Sequence, residues 1–125
     1  MTTTEVIAHW RKRARDSLEM AQHALEVGNY CDALFNCHLA VEKSLKADIM
    51  EKTRKPHPRI HSLADLAAVL QRKWSPEDKE IFFFLSEFAV AARYDDPAWA
   101  ERVATAQNAG QWIPRVDAFL SRLHV

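Results

Sequence analysis

From Glu5 to Val27 the apolar residues Ile7, Trp10, Ala14, Leu18, Ala21 and Leu25 return at steps of three and four, while Arg11, Lys12, Arg15, Asp16 and Glu19 fall off that stripe. This is the pattern of an amphipathic helix with one face for a core. Gly28, followed by Asn29, supplies the stop, because glycine accepts the left-handed conformation that closes a helix. A second helix is predicted over Asn29 to Lys52, with Tyr30, Ala33, Leu34, Cys37, Ala40, Val41, Ser44 and Leu45 as its core stripe. The short link between the two predicts an antiparallel hairpin.

"TRKPHPRI" then breaks the period with two prolines, each lacking a backbone donor and disfavouring helix in the residue before it, so this stretch is a loop. Leu63, Leu66, Ala67 and Leu70 resume the helical spacing, with His61 or Ser62 near the cap position. Ser75, Pro76 and the acids that follow are a strong start signal for a fourth helix over Pro76 to Ala92. Its apolar residues nearly circle it: Ile81, Phe84, Leu85, Phe88 and Ala92 make one face, and Phe82, Phe83, Ala89 and Val90 make others. A helix apolar all round is buried all round, which means either a central position in the bundle or a subunit interface; the two phenylalanines on the second face favour a homodimer interface of Phe82, Phe83 and Val90. The last stretch keeps helical spacing through Val103, Ala106, Ala109, Ile113, Val116, Leu120 and Leu123, with Gly110 and Pro114 four apart inside it. A proline ring crowds the carbonyl four residues back, so a kinked final helix is expected, preceded by an irregular segment around Asp95 to Ala100. The sum is an all-α, up-and-down antiparallel helical bundle of about five helices, a single domain over residues 1–125.

Composition supports this class, since two glycines among 125 residues leave little for the turns of a β-rich chain. Seventeen basic residues balance seventeen acidic ones, so only a local patch could attract nucleic acid or an anionic surface. "WRKRAR" (Trp10 to Arg15) and "EKTRKPHPRIH" (Glu51 to His61) are such patches, and acids gather at Glu77 to Glu80 and at Asp95 and Asp96. No apolar run approaches the ~20 residues of a membrane span, and the start "MTTTEVIAHWRKR" has the wrong order for a signal peptide. A cytoplasmic location is expected. Cys31 and Cys37 lie six residues apart, about 9 Å along a helix at ~1.5 Å per residue, too far to bridge within it.

Connectivity suggests which chemistry-bearing residues meet. In an up-and-down bundle the end of helix two, the start of helix three and the end of helix four share one pole. Lys46, His61, Arg93 and Tyr94 are expected there, joined by the basic loop of Arg54, Lys55 and Arg59. Cations with a histidine and a tyrosine suit a phosphate-bearing ligand, through charge, bidentate bonding and stacking. His38, Glu42 and Lys46 stand four apart on the second helix, a polar seam whose Lys46 end points toward that pole while His38 lies two turns away. His57 and His61 are also four apart, but Pro58 stands between them and no Cys or carboxylate ligand accompanies them, so no metal is expected. Gly-rich phosphate loops, nucleophile elbows and dinucleotide fingerprints are absent, so no cofactor is expected either.

Three blocks, "GNYCDALFNCHLAVEKSLKA" (Gly28 to Ala47), "HSLADLAAVL" (His61 to Leu70) and "AARYDD" (Ala91 to Asp96), resemble the signature blocks of the HEPN (higher eukaryotes and prokaryotes nucleotide-binding) domain family. The resemblance covers roughly Trp10 to Asp96. It implies a small helical bundle that usually dimerises and is often encoded beside a minimal nucleotidyltransferase as a toxin and antitoxin pair. Many members of the family are metal-independent endoribonucleases that use an Arg with a His four to six residues further on. Here Arg93 is followed by "YDDPAWAERVA" with no such His, and the interval from Arg54 to His61 falls in a loop. Taken with the pole that connectivity predicts, the resemblance implies a non-catalytic or divergent, dimeric HEPN domain working with a nucleotidyltransferase partner, and the expected nucleotide or RNA site is Lys46, His61, Arg93 and Tyr94, with Glu42 and His38 bordering. Two alternatives stand beside it: a ribonuclease toxin in which folding unites His61 with Arg93, and a structural adaptor docking through its Phe-rich fourth helix.

Overall fold

The computed structural model describes residues 1–123. It contains six α-helices and one π-helical turn: α1 (Thr3–Glu26), α2 (Tyr30–Thr53), α3 (Leu63–Leu70), α4 (Pro76–Val90), the π turn (Ala91–Asp95), α5 (Pro97–Val103) and α6 (Ala106–Leu123). No strand occurs among the described residues, and no described helix is long and apolar enough to cross a membrane.

Each boundary has a local cause. Thr2 and Ser75 close capping boxes with Glu5 and Asp78, and Ser62 caps α3 by accepting from the Asp65 amide. At the end of α1, Gly28 takes a φ of +80°. Its amide donates to Leu25 at 3.1 Å and the Asn29 amide to Ala24 at 2.8 Å, the pair of bonds that a left-handed glycine makes available at a helix end. The chain then reverses into α2. The pairs Arg11 with Asp48 and Glu51, Ser17 with Lys43, and Thr4 with Arg54 run in opposite senses on the two helices, which fixes the antiparallel hairpin.

The core is a continuous cluster between α2, α4 and α6, with Leu34, Val41, Leu45, Ile81, Leu85, Phe88, Val116, Phe119 and Leu120 almost wholly enclosed. Phe82 belongs to it: its ring meets Trp74 at 5.1 Å and Phe119 at 5.6 Å, both edge to face. Phe84 stacks on Trp112 at 4.5 Å. α4 is therefore not buried on every side, and its expected interface set needs correcting: Phe82 is inside the protomer at 3% exposure, while Phe83 and Val90 stand out at 69% and 48%. The helix count also differs. The irregular stretch foreseen near Asp95 is a π turn followed by the short helix α5, capped by the Asp96 side chain on the Trp99 amide. Pro114 sits inside one continuous helical span, α6, and Gly110 four residues earlier has open space around its Cβ position.

Candidate functional site

α2 carries Phe35, His38, Glu42 and Lys46 up one side at intervals of three and four, so their side chains share a face. Glu42 and Lys46 are buried, and the Lys46 ammonium donates to Glu42 Oε2 at 2.8 Å. The same Glu42 Oε2 lies 3.1 Å from His61 Nδ1, and Glu42 Oε1 lies 3.7 Å from His38 Nδ1. One carboxylate thus bonds a lysine and one histidine, with the second histidine, His38, beside it but beyond hydrogen-bond distance. Burial alone would raise the pKa of Glu42; the hydrogen bonds from Lys46 and His61 outweigh it and hold the acid below the ordinary carboxylate value. His38 is shifted downward, chiefly by burial and further by the charges of Arg93 and His61, against the pull of Glu42 and a hydrogen bond to the main chain of His61.

His61 precedes α3, in the segment that the prolines keep irregular, and three ties hold it. Its ring meets Glu42, its main chain is bonded by His38, and two residues on the Leu63 amide donates to Ser86 Oγ on α4 at 3.0 Å. Its side chain is nonetheless 76% exposed. Across from it the π turn widens the chain after α4 and sets Arg93 and Tyr94 at the surface, with the Arg93 guanidinium 4.4 Å over the Phe35 ring. Between these elements lies an open cavity of about 760 Å³, within the size range of small-molecule sites. His38, His61 and Arg93 line it, and its walls carry Phe83, Val90, Tyr94 and Trp99. Three carboxylates, Glu87, Asp95 and Asp96, stand on its lining with Arg93 as the opposing permanent charge.

The model of the family described as "HEPN domain" matches residues 7–124. The chain belongs to the HEPN family. This HEPN chain is similar in structure to TT1696 from Thermus thermophilus, whose crystal structure superposes with a TM-score of 0.77 at 25% identity over 94% of each chain. No curated protein matches it significantly.

Within the HEPN bundle the sequence-predicted residues divide. His61, Arg93 and Tyr94 share the cavity as expected, and His38, placed two turns away by sequence, lines it as well. Lys46 does not: it lies buried behind Glu42, which consumes its charge. The basic loop also fails to join. Arg54 turns to Thr4 on α1, and neither Lys55 nor Arg59 lines the cavity. His57 sits against the Trp10 ring at 4.7 Å, and among the described residues no three His, Cys, Asp or Glu side chains are grouped to hold a metal. Trp99 and Ser86 escaped the sequence reading. Trp99 had one usable signal, the Asp96-Pro97 start of a helix that carries it back toward α4.

Proposed function

We propose that this HEPN protein is a nucleotide- or RNA-binding module whose ligand enters the cavity between His61 and Arg93. The observation that carries the proposal is the pairing of those two polar groups with aromatic walls, the exposed Phe83 and Tyr94 and the half-buried Trp99, in one cavity. A guanidinium suits a phosphate, and aromatic faces stack on any base. The charge balance narrows the ligand. One arginine faces three carboxylates, of which Asp96 is engaged in capping α5, so the site suits at most a single phosphate held at Arg93 and not a run of backbone. Phe83 and Val90 form the apolar rim of the same cavity, and a second copy seated on them would turn it into a shared cleft. A homodimer acting with a minimal nucleotidyltransferase in a toxin and antitoxin type of system is the assembly that family membership favours.

A second reading has its own observation. His61 with a buried carboxylate on Nδ1 and an arginine across the cavity is an arrangement able to move a proton and steady a charged phosphate, as a metal-independent endoribonuclease requires. One experiment tests both. Purified protein is titrated with a short single-stranded RNA in EDTA while cleavage is followed on a gel. Binding without cleavage, weakened at least tenfold in Arg93→Ala, supports the binding module; cleavage lost in Arg93→Ala and His61→Ala supports the nuclease. If the RNA and free nucleotides all leave the protein unaffected while it still self-associates, the structural adaptor docking through α4 takes their place.

A further inference from the structure

The hub on α2 carries a consequence for what the cavity selects. Glu42 is an acceptor whose Oε2 receives the Lys46 ammonium at 2.8 Å and meets His61 Nδ1 at 3.1 Å. A carboxylate can only accept, so a neutral His61 must carry its proton on Nδ1 to make that bond. Its Nε2 is then a bare lone pair on a ring that is 76% exposed and lines the cavity. The Glu42 bond sets the ring's orientation, and the main chain that carries the ring is held by His38 and, in the following turn, by Ser86. Lys46, buried beside the carboxylate, keeps Glu42 ionised and turned toward His61.

We infer that Glu42, backed by Lys46, is a positioning residue that locks His61 in the Nδ1–H form and presents Nε2 to the cavity as an acceptor for a ligand hydroxyl. This rests on the nucleotide reading of the same cavity and sharpens it. Arg93 offers only donors and takes the phosphate, whereas His61 offers an acceptor and asks for a donor. The ribose 2′-hydroxyl beside a phosphate supplies both and is the one donor a deoxyribonucleotide lacks, so a site that takes this hydroxyl prefers ribonucleotides to deoxyribonucleotides.

The test uses two readouts on native protein and on the double variant E42L/K46M, which removes acceptor and ammonium together and so avoids stranding a buried charge. Long-range nitrogen–proton NMR of the imidazoles at a pH where His61 is neutral is expected to show Nδ1–H in the native protein and Nε2–H, the form free imidazoles favour, in the variant. AMP is expected to bind the native protein about five- to tenfold more tightly than its deoxy counterpart, the scale of one hydrogen bond, and the variant is expected to bind the two equally. A native His61 in the Nε2–H form overturns the role of Glu42. Equal binding of the two nucleotides by native protein, or a preference that survives in the variant, overturns the ribose selection. Failure of both nucleotides to bind native protein overturns the selection together with the nucleotide reading, and is distinguished from loss of positioning by the tautomer measurement.

Discussion

Removing Glu42 alone should damage the protein more than removing Glu42 and Lys46 together. Glu42 is 8% exposed and Lys46 4%; their 2.8 Å contact lies within α2, and Glu42 also meets His61 of the segment before α3. In Glu42→Leu the side-chain volume is nearly kept, but an ammonium is left in a nearly closed site without its partner. Breaking a buried pair from one side costs about 3–5 kcal/mol, whereas exchanging both members for apolar residues is often neutral. For a chain of this length that corresponds to a fall in Tm of roughly 10–20 °C for Glu42→Leu. In E42L/K46M most of that loss should return, leaving a change of about 1 kcal/mol or less from the exposed His61 losing its acceptor. Urea unfolding of the parent, Glu42→Leu, Lys46→Met and the double variant forms a cycle that reads the coupling directly. A Glu42→Leu cost below about 1 kcal/mol would show that Lys46 reaches water on its own. A double variant as unstable as the single one would show that the loss comes from packing and not from stranded charge. Either result refutes the assignment of Glu42 as an ionised hub.

Three further outcomes are expected. Acid should weaken the fold in two stages, because His38 and Glu42 both have folded-state pKa values below their ordinary 6.5 and 4.5; between each ordinary value and the lower folded one the unfolded chain binds more protons, so stability present above the ordinary value is lost as pH falls. Urea midpoints measured from pH 7.5 to pH 4 check this, and a midpoint that rises on acidification would contradict it. Cys37, buried with its thiol pushed up to about 12, should resist a thiol reagent in native protein while the half-buried Cys31 is labelled, as mass spectrometry of digests would show. Phe83→Asp should leave the protomer's circular dichroism spectrum unchanged, since Phe83 is 69% exposed, and should shift sedimentation to the monomer under the proposed homodimer; sedimentation identical to the parent's would contradict an interface built on Phe83.

Helix spans and caps were open to sequence reasoning because they depend on neighbours in the chain. Ser75 before Pro76, Ser62 before Leu63 and Gly28 after α1 act within one turn, and each does what its type predicts. The three successive phenylalanines show where such reasoning stops. Phe82, Phe83 and Phe84 point in directions about 100° apart on a helix, and periodicity cannot say which direction faces Trp74 and Phe119, which faces Trp112 and which faces outward. The π turn at Ala91–Asp95 has no signature in residue type, yet it decides where Arg93 and Tyr94 stand. Lys46 failed for a different reason. An intrahelical pair four residues apart reads the same whether it lies in water or in the core, and only the packing of the His61 segment over Glu42 buries it.

The most direct measurement is a backbone and side-chain NMR titration of the protein with AMP. Binding between His61 and Arg93 predicts saturable shifts at His61, Arg93, Tyr94 and Trp99, with little change at a second, smaller groove lined by Arg72, Lys73, Asp78 and Arg122. Shifts confined to that groove, or none at any concentration, would contradict it.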